Sequence, residues 1–272
     1  MTERVSEEAE AFRKLAPEVL GRETLHQKAL KPPARFRPRV GAAAEGPPPS
    51  QWKERELVSE YGFASFTGGD ALHELRQVES VDGHKVAESK KAQDALASLI
   101  TAGDDQAKKT ALKEFQKFGL AGAVTDFGQL ILLFTRRELE RYEFSARGPR
   151  TEGNVNALVF SYKQLDGPEA LTLFDESKKD KPLRLRVEGE IWVRPDNYVP
   201  LRITLNATTI DRTASLREEA AVDYAMSRFG ALLPVATTHR ELRQGQVVME
   251  NHFTYGDFHK FGASSAIQFD TK

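Results

Sequence analysis

The stretch LRLRVEGEIWVRPDNYVPLRITLNAT, residues 183–208, alternates apolar and polar side chains and decides the fold. Its odd positions from Leu183 to Val193 are apolar or glycine, and its even positions are charged or, at Trp192, aromatic. After the turn signal at 195–197 the alternation resumes from Val199. Because successive side chains of a strand point to opposite faces, each half predicts a strand with one apolar face. A parallel strand covered on both sides would be apolar throughout, so the pair indicates an antiparallel sheet exposed to water on one face.

The composition excludes several classes of protein. The chain has 272 residues, 39 Lys+Arg against 40 Asp+Glu, and a formal net charge of -1, which does not suit a nonspecific binder of nucleic acid. It contains no cysteine, so disulfides, thiolate metal sites and cysteine nucleophiles are absent. We expect a periplasmic or otherwise exported protein whose signal peptide is absent from this sequence, with a cytoplasmic location as the alternative. We expect no membrane span.

The first fifty residues differ in character from the rest. Residues 6–20 have apolar side chains at helical spacing, with Ser6 as a predicted N-cap and Pro17 as a break. Residues 31–50 hold six of the thirteen prolines, which predicts an extended strap. We therefore divide the chain into an N-terminal helix and Pro-rich strap, 1–50, and a main domain, 51–272.

Strand patterns dominate the main domain. Asp82-Gly83 marks a tight hairpin turn, since this dipeptide supplies positive φ angles, and Gln244-Gly245 separates two later strands. About ten strands are predicted, and the helices come early without alternating with them, which favours an α+β fold. The segments with strand patterns are 57–66, 72–81, 84–87, 142–146, 155–162, 170–174, 183–193, 199–207, 218–227, 232–243, 246–255 and 261–269.

Three helices are predicted between the early and late strands. Two are amphipathic and cover 92–100 and 107–118, the second beginning at Asp104 or Asp105. The third begins at Thr125 or Asp126 and has apolar side chains around most of its circumference. A helix of this kind must be buried on nearly all sides, so we expect it inside the concave side of a curved sheet.

No catalytic or metal motif accompanies these patterns. The spacings of His239, His252 and His259 match no zinc site, no Gly-x-Ser-x-Gly elbow occurs, and Gly68-Gly69 lacks the lysine of a phosphate loop. Glu188 and Glu190 lie on the polar strand face, where solvated carboxylates are expected. We predict no catalytic residue, no metal, no cofactor and no enzyme activity. A hydrolase remains as a lesser alternative that requires His239, His252 and a carboxylate to converge.

The C-terminal half resembles a known group of bacterial proteins. The matching elements are Gly189–Arg194, Pro200–Ile203, Gly230–Pro234, and the aromatic residues Tyr255, Phe258 and Phe261. They resemble exported bacterial proteins of unassigned function with the lipoprotein-carrier (LolA/LolB-like) fold, over roughly residues 55–270. The resemblance implies an unclosed β-barrel, that is, a curved antiparallel sheet with helices across its concave face. In the characterised carriers that space holds the acyl chains of a lipoprotein.

These observations support two main functions. The first is a periplasmic binding or carrier protein for an acyl chain, a lipid or another apolar ligand, held in a cavity between sheet and helices. The second is a non-enzymatic scaffold or interaction module of the cell envelope with a self-filled core, which binds an envelope protein through residues 1–50. Arg136 and Arg137 either interact with the negative, C-terminal end of the dipole of the third helix or bind an anionic head group. The predicted cavity residues are Phe127, Leu130, Ile131, Phe134, Tyr142, Phe144, Leu185, Val187, Ile191, Val193, Leu201, Ile203 and Leu205.

Overall fold

The computed structural model describes residues 1–31, 51–69, 71–121, 126–152, 155–165, 171–173, 183–209 and 216–261. Three α-helices lie in these ranges: α1 (Thr2–Leu15), α2 (Ser89–Thr101) and α3 (Asp105–Gln116). Short 3₁₀ turns occur at Ala16–Glu18, Leu130–Phe134 and Leu139–Arg141. The predicted strap at 32–50 and the predicted last strand, apart from Phe261, fall outside the described residues.

Twelve strands of the described chain form one sheet. They are β1 (Val19–Leu30), β2 (Trp52–Ser65), β3 (Leu72–Val81), β4 (His84–Lys85), β5 (Tyr142–Glu152), β6 (Val155–Gln164), β7 (Leu171–Leu173), β8 (Leu183–Val193), β9 (Pro200–Thr209), β10 (Leu216–Met226), β11 (Leu232–Arg243) and β12 (Gln246–Lys260).

The sheet is antiparallel and unclosed. Its order is β4-β3-β2-β1-β12-β11-β10-β9-β8-β6-β5, with β7 paired to β8, so β4 and β5 lie at opposite edges. Asp82 and Gly83 have φ angles of 49° and 76°, and Gln244 and Gly245 have 52° and 77°, as the turn dipeptides predicted. The predicted fold class, a curved antiparallel sheet with helices and an α+β composition, is confirmed.

The first thirty residues contribute a strand to the same sheet as the predicted main domain. β1, which was not predicted, lies in the interior of the sheet between β2 and β12. The first helix runs over Thr2–Leu15, four residues earlier than predicted, so Ser6 lies within it and is buried instead of capping it. Residues 1–30 therefore share the sheet and core of the later residues, because β1 carries inward side chains such as Leu25 that complete the core.

The helices cover both faces of the sheet. Phe12 of α1 packs edge-to-face on Phe63 of β2, with ring centroids 5.2 Å apart, in the main core cluster on the concave face. On β3, Glu74 and Arg76 point to that core, so Leu75 between them points outward, where it packs with Leu96 of α2. The N-terminus of α3 is capped by Asp104, whose Oδ1 accepts from the N–H groups of Gln106 and Ala107.

Candidate functional site

The concave face is closed by α1 and by residues 126–134, which we call the cover segment. The sequence predicted an α-helix here, and that prediction is wrong: Asp126 has a left-handed φ of 68° and only Leu130–Phe134 form a 3₁₀ turn. One reason is that the N–H of Ile131, which an α-helix would pair with the carbonyl of Phe127, donates instead to the hydroxyl of Tyr224. The burial prediction holds in part, since Leu130, Ile131 and Phe134 are buried.

Glu74 on β3 is the first anchor of the cover segment. Its Oε2 accepts from the N–H of Asp126 and its Oε1 from the N–H of Gly128, both at 2.7 Å. The N–H of Glu74 in turn donates to Oδ1 of Asp126 at 2.8 Å. A Cβ atom on Gly128 would lie 2.7 Å from Oε1 of Glu74 and 2.8 Å from the Tyr61 hydroxyl, so this contact requires glycine.

Tyr224 on β10 is the second anchor. Its hydroxyl donates to the carbonyl of Gly128 and accepts from the N–H of Ile131, both at 3.0 Å. Burial raises the pKa of this hydroxyl, so it remains a donor at any ordinary pH. Two side chains from distant parts of the sheet thus hold the turn against the core.

A buried ion cluster lies beneath the first anchor. The guanidinium of Arg76 donates to both carboxylate oxygens of Glu23, at 2.6 and 2.7 Å, and to Oε2 of Glu74 at 2.8 Å. The side chains of this pair are only 1 % exposed, and the rings of Tyr61, Phe115 and Phe253 surround the guanidinium. Burial raises the pKa of Glu23, while the charge of Arg76 opposes that rise. The bidentate geometry offsets part of the cost of burying the charges.

The other end of the cover segment meets an aromatic cluster. Phe134 packs on Tyr162 and Tyr142, with centroid distances of 4.9 and 5.6 Å, and on Phe144 at 5.9 Å. The Tyr162 hydroxyl donates to the carbonyl of Thr204 at 2.7 Å, which satisfies its polar end. This cluster lies on the inner face of β5 and β6, next to the apolar residues of β8 and β9.

The predicted cavity residues are brought together on the concave face, where most of them join the main core. The members on β8 and β9 that are buried to at least 97 % are Leu185, Val187, Ile191, Val193, Ile203 and Leu205. Leu201 is half-buried beside an irregularity in the β8–β9 pairing, and Phe144 is half-buried on the edge strand. Their contact with a ligand stays a prediction.

Phe127 is partly buried against the main core, whereas the two arginines lie at the surface. Phe127 stacks on the ring of His239 on β11, with centroids 3.9 Å apart. Arg136 and Arg137 are exposed after the 3₁₀ turn, where the N–H of Arg136 donates to Oε1 of Glu10 on α1 at 3.3 Å. Because the turn is not an α-helix, a role at its dipole is withdrawn, and the head-group role stays a prediction.

A chain of buried polar side chains, which we call the polar chain, crosses β1, β12, β11 and β10. Gln27 Nε2 donates to Asn251 Oδ1 at 2.9 Å, Asn251 Nδ2 lies 3.0 Å from His239 Nδ1, and His239 Nε2 lies 2.5 Å from Glu218 Oε2. Burial raises the pKa of Glu218, and the hydrogen bond with His239 opposes that rise. The polar chain was missed because β1 was not predicted, although polar residues at inward strand positions were a visible signal.

The candidate histidines do not converge. His239 points into the core and is 1 % exposed, whereas His252 pairs with Thr238 on the neighbouring strand and points to the outer face. His252 borders two shallow outer cavities of about 410 and 430 Å³, and His239 also lines the first, although its side chain is fully buried and bonds to Glu218 and Asn251. Across the described ranges, no three His, Cys, Asp or Glu side chains are grouped to hold one metal ion. The convergence that a hydrolase required is therefore not formed by these two histidines.

Comparison with known proteins yields similarities of structure alone. No family model and no curated protein matches this chain in sequence. A domain described as an outer membrane lipoprotein-sorting protein, from Vibrio parahaemolyticus, is 12% identical over 99% of this chain and 97% of its own, with a TM-score of 0.35. A DUF1329 family protein from Desulfovibrio piger is 8% identical over 97% and 95%, with a TM-score of 0.37.

A third similar structure is a LolA superfamily protein from Nitrosomonas europaea, 8% identical over 96% of this chain and 94% of its own, with a TM-score of 0.32. TM-scores this low assign no ligand and no activity to this chain. Among the helices in the described ranges, none has the length and apolar character that a bilayer crossing requires.

Proposed function

We propose that this protein is a non-enzymatic periplasmic binding protein for an apolar chain, and that the cover segment occupies the binding space when no ligand is bound. The observation that carries the proposal is the way this segment is held. It places Ile131 and Phe134 fully inside the core, yet it belongs to no α-helix or strand and is anchored by the side chains of Glu74 and Tyr224. A short segment held at a few points can leave without unfolding the sheet.

The free energy lost by exposing the cover segment and the free energy gained by burying a ligand chain are of similar size. Exposing the apolar side chains of Leu130, Ile131 and Phe134 costs roughly 5–9 kcal/mol, at about 1.5–3 kcal/mol each. Burying about a dozen methylenes of a ligand contributes on the order of 8–10 kcal/mol before the cost of association. After the cost of association, about a dozen methylenes at most balance the exposure of the cover segment, so replacement requires a chain of at least that length, and about six carbons, at about 5 kcal/mol, fall well short. The proposal requires a steep dependence of affinity on chain length.

Further features support the non-enzymatic role and the periplasmic location in this proposal. His239 and His252 point to opposite faces, which supports the absence of hydrolase chemistry. The periplasmic location is supported by the lack of cysteine and by the resemblance of residues 189–261 to exported proteins. Cell fractionation of the source organism tests the location independently of ligand binding.

The decisive experiment is a titration of delipidated protein with a fluorescent fatty acid, repeated with acids of decreasing length. The variant Tyr224→Phe removes the second anchor and should bind about fivefold more tightly, since a buried hydrogen bond contributes about 1 kcal/mol. Tyr162→Phe is the matched control, because its hydroxyl also donates to a buried carbonyl but does not touch the cover segment. Absence of saturable binding in all three proteins would overturn the proposal.

A second candidate function is favoured by the filling of the core. Phe12, Phe63, Phe134 and Tyr162 are fully or almost fully buried among the protein's own side chains, as in a scaffold that needs no ligand. In that case the partner would be an envelope protein contacting residues 1–50. Because α1 and β1 belong to the fold, the test replaces only residues 32–50. The N–H of Lys31 bonds to the carbonyl of Gln51 at 2.8 Å, so a short turn can join them. Loss of a partner from an intact protein would favour this function.

A further inference from the structure

The polar chain has a direction that is fixed at one end by the backbone. The N–H of Ala121 donates to Gln27 Oε1 at 2.6 Å, and Gln27 Nε2 donates to the carbonyl of Ala121 at 3.0 Å. A backbone N–H and carbonyl cannot exchange roles, so the amide of Gln27 has only this orientation. Every later hydrogen bond of the polar chain inherits its direction from this contact.

The direction assigns the proton on His239. Gln27 Nε2 donates to Asn251 Oδ1, so the Nδ2 group of Asn251 faces the imidazole as a donor. Nδ1 of His239 must then accept, and the ring carries its proton on Nε2, which donates to Glu218. The imidazole in this arrangement is neutral, although it lies beside a carboxylate.

A second proton on this imidazole has no acceptor. At Nδ1 it would face the donor Nδ2 of Asn251 across 3.0 Å. Rotating the Asn251 amide by 180° would place its donor Nδ2 against the donor Nε2 of Gln27. Rotating the Gln27 amide as well would place donor against donor and acceptor against acceptor at the backbone of Ala121. Protonation of His239 therefore breaks one hydrogen bond of the polar chain, whichever pair of donors is left facing each other.

The charged surroundings do not remove this conflict. Glu218 on β10 bonds to the opposite ring nitrogen, Nε2, while Glu241 on β11 lies further along and pairs with Arg243. Asn251 on β12 and Phe127 of the cover segment, which face the ring from the other sides, are uncharged. Asp126, next to Phe127, bonds instead to His73 and Glu74 on β3. Among the described residues, none of these groups offers an acceptor at Nδ1.

We infer that the polar chain is an acid-sensitive latch: it holds the main chain at Ala121, which follows α3, while His239 is neutral, and it releases Ala121 when the imidazole is protonated. The contact most exposed to release is the Gln27–Ala121 pair, because Ala121 belongs to no helix or strand whereas Asn251 and His239 lie on paired strands. The inference concerns the protein without ligand and does not rest on the proposed function.

The test is hydrogen exchange of the Ala121 amide, measured as a protection factor so that slower intrinsic exchange in acid is removed. We expect about a tenfold loss of protection when the pH is lowered from about 7.5 to about 5.5. Amides of the β8–β9 ladder should keep their protection, which shows that the protein remains folded.

Two variants separate the latch from a general effect of acid. His239→Asn keeps an acceptor at the Nδ1 position and cannot take up a proton, so the Ala121 amide should stay protected throughout. Asn251→Asp supplies an acceptor to Nδ1 and should hold the imidazolium, so acid should no longer release Ala121. Equal loss of protection in the wild type and in both variants, or no loss in the wild type, would overturn the inference. Both readouts need no fatty acid, so this failure is distinguishable from failure of the ligand titration.

Discussion

The backbone N–H of Gly128 donates to Oε1 of Glu74 at 2.7 Å, so one sheet carboxylate determines where the cover segment lies. Replacing Gly128 by alanine should displace this segment, because the added Cβ would meet Glu74 and Tyr61 below 3 Å. We expect a loss of about 2–3 kcal/mol in the free energy of unfolding, as for an overpacked core position. Urea denaturation measures it. Gly103→Ala is the control, since no atom lies within 4 Å of its Cβ position.

Arg76 should be far more important for stability than an exposed arginine. In Arg76→Met the buried carboxylates of Glu23 and Glu74 lose their shared cation, which should cost about 3–5 kcal/mol. Adding Glu23→Gln should recover part of this loss, because one buried carboxylate then needs no counter-charge. The control Arg202→Met breaks pairs with Asp223 and Glu152 near the surface and should cost about 1 kcal/mol or less. A similar cost for both single variants would contradict this ranking.

Glu60 on β2 should make the protein less stable as the pH rises. Burial raises the pKa of its carboxyl to about 7, from 4.5, with the nearby His259 opposing that rise. Between these values the folded state binds more protons than the unfolded state, so stability falls as the pH increases from about 4.5 to about 7 and then levels off. Glu60→Gln should flatten this slope and raise stability at pH 8 by about 1–2 kcal/mol, since the amide places no charge in this buried position.

Thermal unfolding over this pH range, at constant ionic strength, measures the effect of Glu60. Glu54→Gln on the same strand is the control, because the Glu54 side chain is 76% exposed. An unchanged slope in Glu60→Gln would show that the carboxyl does not titrate in this range.

Phe134 separates the two candidate functions. Phe134→Ala removes a fully buried ring from the aromatic cluster and should cost about 3–5 kcal/mol of stability under either function. Under the binding function it should also tighten fatty-acid binding by about tenfold or more, because part of the competing apolar contact is gone. Leu165→Ala, at an exposed position, should change neither quantity. Destabilisation without any fatty-acid binding would favour the scaffold.

Local patterns in the sequence were sufficient for most of the described strands, though not for β1, and for two tight turns. The alternation at 183–207 depends only on successive side chains pointing to opposite faces, and the turns at Asp82-Gly83 and Gln244-Gly245 depend on the φ angles of single residues. The inward position of Val187, Ile191 and Ile203 follows from the same period. These features could be predicted because neighbouring residues decide them.

The candidate site was decided by tertiary contacts. Gln27 and Asn251 bond across a separation of 224 residues, and no local pattern states which polar residue will meet which. β1 alternates less clearly than β8, since polar residues such as Glu23 and Gln27 occupy its inward positions and become acceptable only once Arg76 and Asn251 satisfy them. The cover segment has helical spacing in sequence, yet Glu74 and Tyr224 bond to its backbone N–H groups and make a 3₁₀ turn the better-satisfied structure.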